Sequence, residues 1–219
     1  GLPNHPPSGG GGRAALDLVG RGAGAALLRG GHHRRHAEAE AALAGFVGLP
    51  AALLFSTGYM ANLGVVTALL GRGDAVFADR LNHASLVDAA LLSRAEHHRY
   101  RHGDLDHLAS LLAASPARTK LIATDAVFSM DGDLAPVPAL LELAARHDAW
   151  LYVDDAHGFG VLGDKGRGIL EHQGVSAADH PALIYLATLG KAAGVAGAFV
   201  AAGSEVIEWL ANRARTYVY

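Results

Sequence analysis

The sequence predicts an α/β fold with a mostly parallel central sheet flanked by helices, and three features of its 219 residues predict it. Short β-favouring runs alternate with longer stretches of helical periodicity, the pattern of repeated βαβ units. Those runs are apolar at nearly every position, as suits strands covered on both faces. Ionisable and glycine-containing segments follow the runs directly, where an open α/β sheet binds ligands beyond the carboxyl ends of its strands.

Residues 1–33 read as an arm or loop, because Pro3, Pro6, Pro7 and the run from Gly9 to Gly12 remove backbone donors and cost backbone entropy. From Arg34 the pattern turns helical: Ala37, Ala41, Leu43, Ala44 and Val47 recur at three- and four-residue steps until Gly48 and Pro50 stop it. Strands are then predicted at Ala51–Phe55, Ala75–Ala78, Thr119–Thr124, Trp150–Val153, Leu183–Leu186 and Ala198–Ala201. Amphipathic segments between them include Met60–Leu70, Leu86–Ser93, Leu105–Ala113 and Val137–His147. With no internal repeat and no change of composition, residues 34–219 read as one domain.

Composition narrows the function. A net charge of −3 with 18% charged and 51% hydrophobic residues fits neither a disordered polyelectrolyte nor a protein that coats nucleic acid. The absence of cysteine removes disulfides, thiolate metal sites and a thiol nucleophile. No apolar run approaches the roughly 18 residues of a membrane span, and no secretory leader opens the chain, so the reading is cytoplasmic.

Five segments carry candidate chemistry. In Leu151-Tyr152-Val153-Asp154-Asp155-Ala156-His157-Gly158, an apolar strand ends in two carboxylates and an imidazole, groups that are costly there without a partner; helix caps and solvated acids are the alternative. Gly158, Gly160 and Gly163 match a dinucleotide-loop spacing, but Asp154 and Asp155 would repel a pyrophosphate. In Ala187-Thr188-Leu189-Gly190-Lys191, the lysine is either a surface charge or a partly desolvated amine able to form a Schiff base. A phosphate loop is excluded there by Tyr185 and Ala192.

Ser56-Thr57-Gly58-Tyr59-Met60-Ala61-Asn62 opens a helix whose amides and dipole suit an anion such as phosphate. In Asp79-Arg80-Leu81-Asn82-His83-Ala84-Ser85, His83 is either a stacking or proton-transfer residue or simply the cap of the next helix. Thr124-Asp125-Ala126-Val127-Phe128-Ser129-Met130-Asp131-Gly132 again carries a strand into polar residues. His32, His33 and His36 have Arg34 and Arg35 among them and no carboxylate within the run; like His97, His98 and His102 they read as solvated surface, and no metal is expected.

Taken in this order, the segments resemble the α-oxoamine synthase family of pyridoxal-phosphate enzymes over nearly the whole chain from about Gly22. Asp154-Asp155-Ala156-His157-Gly158, Thr188-Leu189-Gly190-Lys191 and Asn82-His83-Ala84-Ser85 carry the resemblance, and Tyr100-Arg101-His102-Gly103-Asp104-Leu105 is most similar to the biotin-pathway member. The resemblance implies the large domain of a fold type I transferase, incomplete here and without the C-terminal small domain. It implies pyridoxal 5′-phosphate bound covalently to Lys191, which also moves protons at the substrate α-carbon. Asp154 then pairs with the protonated ring nitrogen, and His83 stacks on the ring beside the substrate. His157 and Ser129 bond the phenolic oxygen, and Gly58, Tyr59 and Thr188 hold the phosphate. The catalytic group is Lys191, His83, Asp154 and His157.

The implied reaction is a decarboxylative condensation of L-alanine with pimeloyl-CoA, or a pimeloyl-carrier protein, giving 8-amino-7-oxononanoate, CoA and CO2 in a homodimer. A sibling synthase using glycine or serine with another acyl-CoA, or a silent fragment serving as a binding module, are the alternatives. Ala192-Ala193-Gly194 departs from the Gly-Phe-Gly that usually follows the family's lysine, which removes an aromatic from the site.

Overall fold

Alternate side chains along each central strand enter two different helical layers, and this sorting builds the core. The computed structural model describes residues 32–218. The elements are α1 (Arg34–Val47), β1 (Ala51–Phe55), α2 (Gly58–Leu69), β2 (Ala75–Asp79), α3 (Ala84–Ser93), β3 (Glu96–Tyr100), α4 (Leu105–Ala114), β4 (Lys120–Asp125) and α5 (Val137–Arg146). They continue with β5 (Ala149–Asp154), α6 (Ile169–His172), a 3-10 turn (Ala177–Asp179), β6 (Leu183–Thr188), β7 (Ala198–Ala202), α7 (Ser204–Arg213) and α8 (Arg215–Val218). Phe77, Ile122, Leu151, Val153, Tyr185 and Phe199 face the layer of α1, α4, α5 and α6. Val76, Leu121, Tyr152, Ile184 and Val200 face the layer of α2, α3, α7 and α8. Each such fully buried side chain contributes about 1.5–3 kcal/mol through removal of apolar surface from water.

The seven strands lie in the order β1-β7-β6-β5-β4-β2-β3. β2, β3, β4, β5 and β6 are mutually parallel, whereas β7 runs antiparallel to both β1 and β6. The reversal has a simple cause: only residues 189–197 join β6 to β7, too few for the crossover of a dozen or more residues that a parallel neighbour requires. The predicted strands and helices are recovered with ends shifted by a residue or two. α7, whose buried face is Val206, Ile207 and Leu210, was not among the predicted elements.

The expected arm lies outside the described residues except for His32 and His33. His32 stays exposed, in keeping with the solvated-surface reading of the histidine run, whereas His33 and His36 are half-buried and carry a structural task. His33 caps α1 together with His36, and His32 Nε2 lies 2.9 Å from Glu40 Oε2. Glu40 is itself buried and accepts the amide of Leu54 on the edge strand β1 at 3.0 Å. The carboxylate missing from the local run is supplied one helical turn beyond it. Gly48 ends α1 with φ 77°, returning its N–H to the Ala44 carbonyl, a left-handed conformation that glycine adopts without a Cβ penalty. Among the described residues no helix is long and apolar enough to cross a membrane.

Candidate active site

β2, β4, β5 and β6 are parallel, so their carboxyl ends open at one edge of the sheet. β1 points the same way and delivers the first turn of α2 there, and a cavity of about 200 Å³ occupies this edge. Gly58, Tyr59, His83, Asp154, His157, Thr188 and Lys191 all line it. Ser129 does not: it lies exposed on the loop after β4, which folds back through the Val127–Leu134 bridge.

The aspartate pair at the end of β5 divides into two roles because successive residues leaving a strand point in different directions. Asp154 faces the cavity and accepts Asn62 Nδ2 at 2.8 Å and the Ala156 amide at 3.1 Å. Burial raises its pKa, opposed by those two donors and by Lys191 and His83. Asp155 turns inward, is 0% exposed, and accepts Ile169 N at 2.7 Å and Tyr185 OH at 2.8 Å. It pins the loop 155–168, which carries His157, against β6. Gly168, at φ 91°, has no room for a Cβ beside that carboxylate and the Tyr185 hydroxyl.

His83 resolves the alternatives left by its sequence, since it is both the N-cap of α3 and a wall of the cavity. Its amide donates to Asp125 Oδ2 at 3.0 Å, and its Nδ1 lies 2.7 Å from Ser85 Oγ. At the head of α2, the Thr57 hydroxyl takes the Met60 amide and the Thr57 carbonyl takes that of Ala61. The amides of Gly58 and Tyr59, at the positive end of the helix dipole, precede these. The Tyr59 hydroxyl donates to Asp88 at 3.0 Å, a bond that holds its pKa above the usual value.

Lys191 extends from the loop after β6 with its Nζ 2.9 Å from His157 Nε2. Although the residue is exposed, desolvation of the amine lowers its pKa, against the pull of Asp154 and Asp125. His157 is likewise lowered, by burial and then by Lys191. The result is an amine, an imidazole, an imidazole-faced wall and a buried carboxylate around one space. This donor set suits an aromatic heterocycle with a cationic N–H and an anionic substituent.

Spacing gave no role to Asn62, Ser85 or Asp125, the remaining polar residues of a lining that Ala156 and Leu186 complete. Asn62 could have been noticed as the amide within the apolar face of α2. Asp125 Oδ1 is buried with no hydrogen-bond partner among the described residues. The reading of His102 as solvated surface is also corrected. It bridges Asp79 Oδ1 at 3.0 Å and Asp133 Oδ2 at 2.6 Å, and packs edge-on against Phe128. Strands β2 and β3 and the Phe128–Asp133 turn bring these groups together from three places in the sequence. Among the described residues no group of three or more His, Asp or Glu side chains is arranged to hold a metal ion.

Residues 12–219 match the family described as Aminotransferase class I and II. The chain is 65% identical over 207 residues to a protein named 8-amino-7-oxononanoate synthase from Herminiimonas arsenicoxydans, covering 94% of this chain and 53% of that protein. Its fold is similar to that of serine palmitoyltransferase from Sphingomonas wittichii, with TM-score 0.93 and 36% identity over 100% of this chain and 54% of the other. A serine palmitoyltransferase variant from S. paucimobilis with a bound PLP–myriocin aldimine is similar at TM-score 0.92 and 34% identity, over 100% of this chain and 55% of that one. The chain spans about half the length of the curated relatives it matches.

Proposed function

The chain belongs to the aminotransferase class I and II family, and from that premise we propose that it carries the cofactor-binding half of an 8-amino-7-oxononanoate synthase. The reaction is the decarboxylative condensation of L-alanine with pimeloyl-CoA, or a pimeloyl-carrier protein, to 8-amino-7-oxononanoate, CoA and CO2. One observation carries the reading: Lys191 and Asp154, far apart in sequence, line the same cavity together with His83 and His157. The 65% identity to a protein of that name supports the choice of substrates over those of a sibling synthase.

The donor set fits pyridoxal 5′-phosphate. When bound, this cofactor supplies an electron sink that makes a carbanion at the amino-acid α-carbon accessible. Asp154, supported by two donors, offers a carboxylate to the ring nitrogen. His83 presents its ring as a stacking wall, and the amides of Gly58 and Tyr59 with the Thr188 hydroxyl receive the phosphate. Lys191, its amine partly desolvated, attaches the cofactor and moves the proton at the α-carbon. His157 stands within hydrogen-bond reach of that amine. The proposal assigns the phenolic oxygen to His157 and Ser129, of which His157 lines the cavity and Ser129 stands exposed outside it. The division into an arm at 1–33 and an incomplete large domain at 34–219, the homodimer and the cytoplasmic location are parts of the same proposal.

Borohydride reduction of the protein mixed with pyridoxal 5′-phosphate, followed by peptide mass mapping, is expected to place a pyridoxyl label on Lys191. A label elsewhere, or none, overturns the assignment. Release of CoA from pimeloyl-CoA with alanine, and not with glycine or serine, tests the substrates. Labelling without CoA release from any of these would favour the binding module.

A further inference from the structure

The side-chain amide of Asn62 connects two cavity residues that come from different strands and loops. Asn62 is 1% exposed. Its Nδ2 donates to Asp154 Oδ2 and to Ser85 Oγ, both at 2.8 Å, and its Oδ1 accepts the Tyr152 hydroxyl at 2.7 Å. The opposite orientation would set the amide oxygen against the carboxylate of Asp154, so the hydrogen-bond partners fix which end is nitrogen.

The amide orders protons on both sides of it. Because Asn62 donates to Ser85 Oγ, the Ser85 hydroxyl proton is free for His83 Nδ1, 2.7 Å away. The Ser85 backbone amide approaches the same Nδ1 at 3.2 Å. Two donors converge on that nitrogen, which makes it an acceptor and leaves the ring proton on Nε2. On the other side, Asp154 accepts from Asn62 on Oδ2 and from the Ala156 amide on Oδ1, so both oxygens are supplied with donors, as an ionised carboxylate requires.

We propose that Asn62 is a positioning residue: one buried amide, anchored by Tyr152, holds Asp154 as a hydrogen-bond acceptor and, through Ser85, fixes His83 in its Nε2–H tautomer. The ring-nitrogen partner and the stacking wall are thereby set by a single group. The role in the reaction rests on the reading of this cavity as a pyridoxal-phosphate site, whereas the relay itself does not.

The test combines imidazole 15N NMR of His83 in the cofactor-free protein with equilibrium dialysis of pyridoxal 5′-phosphate. The wild-type spectrum is expected to show a protonated Nε2 and an unprotonated Nδ1. Ser85→Ala should produce a mixture of tautomers and change cofactor affinity less than Asn62→Asp does. Asn62→Asp should disturb the tautomer and also weaken cofactor binding by about tenfold, the scale of one charge-assisted hydrogen bond. A protonated Nδ1 in the wild type, or an unchanged tautomer in Ser85→Ala, overturns the relay. Unchanged cofactor affinity in folded Asn62→Asp overturns its link to Asp154. If Asn62→Asp does not fold, the wild-type and Ser85→Ala spectra still decide the relay. A wild-type protein with the expected tautomer that binds no cofactor overturns the role in the reaction and leaves the relay standing.

Discussion

Asp125 and Asp154 are register partners on the neighbouring parallel strands β4 and β5, 5% and 7% exposed. Asp154 has a donor on each oxygen, whereas Asp125 has the His83 amide on Oδ2 and no partner on Oδ1 among the described residues. The strain of placing two carboxylates side by side therefore falls on Asp125, whose pKa is pushed up to about 7 by burial and by the charge of Asp154.

This pair predicts a pH dependence of stability. The folded protein holds the Asp125 proton more tightly than the unfolded chain, so the associated stability is complete below about pH 4 and is lost as pH rises to about 7. Asp125→Asn should gain about 1–3 kcal/mol over the wild type at pH 8 and much less at pH 4.5, read from denaturant unfolding at both pH values. Asp155, also pushed to about 7, keeps part of the slope in the variant. An equal effect at both pH values would refute this account.

Asp155 serves as a structural anchor. Asp155→Ala would leave the Tyr185 hydroxyl and the Ile169 amide buried without an acceptor, a loss of about 2–4 kcal/mol in urea denaturation. Gly168→Ala should also destabilise, because its Cβ would crowd the same carboxylate and lie 2.6 Å from the Tyr185 hydroxyl. Losses within 0.5 kcal/mol, the ordinary range of surface substitutions, would show that the loop is held by something else.

The Lys191 amine should respond to Asp154 without direct contact. The anionic carboxylate supports the charged form of the amine, so Asp154→Asn is expected to lower the Lys191 pKa further. The pH dependence of Lys191 modification by an amine-directed reagent, quantified by peptide mass mapping, should move to lower pH in the variant. No shift, or a shift to higher pH, would refute the electrostatic coupling of the two groups.

His102 predicts the opposite pH behaviour to Asp125. Burial lowers its pKa, but the bonds to Asp79 and Asp133 outweigh that and raise it. Its contribution is complete below about pH 6.5 and is lost as pH rises through the raised value. His102→Gln should cost about 1 kcal/mol at pH 6 and less at pH 9, measured by thermal unfolding. A larger cost at pH 9 would contradict the ion-pair origin.

Much of the site was legible because it sits at the seams of local patterns. Gly58, His83, Asp154, Thr188 and Lys191 each stand at or just beyond the junction of an apolar run with a polar turn, and parallel strands gather such junctions at one edge. Asn62, Ser85 and Asp125 lie in the same segments, but their value depends on partners that spacing does not specify. Asn62 meets Asp154 and Tyr152 from positions 92 and 90 residues away. Ser129 shows the converse, a polar residue in a site-like segment whose loop folds back away from the cavity.

By itself the sequence determined the alternation of strands and helices, the two-sided burial of the sheet and the edge at which chemistry collects. These follow from side-chain periodicity and turn chemistry, which act over a few residues. Only the tertiary structure decided the strand order, the reversed β7, the separate tasks of Asp154 and Asp155, and the pairing of His102 with carboxylates from elsewhere in the chain. Those outcomes depend on which donors and acceptors are brought within about 3 Å after desolvation, and long-range packing alone sets that distance.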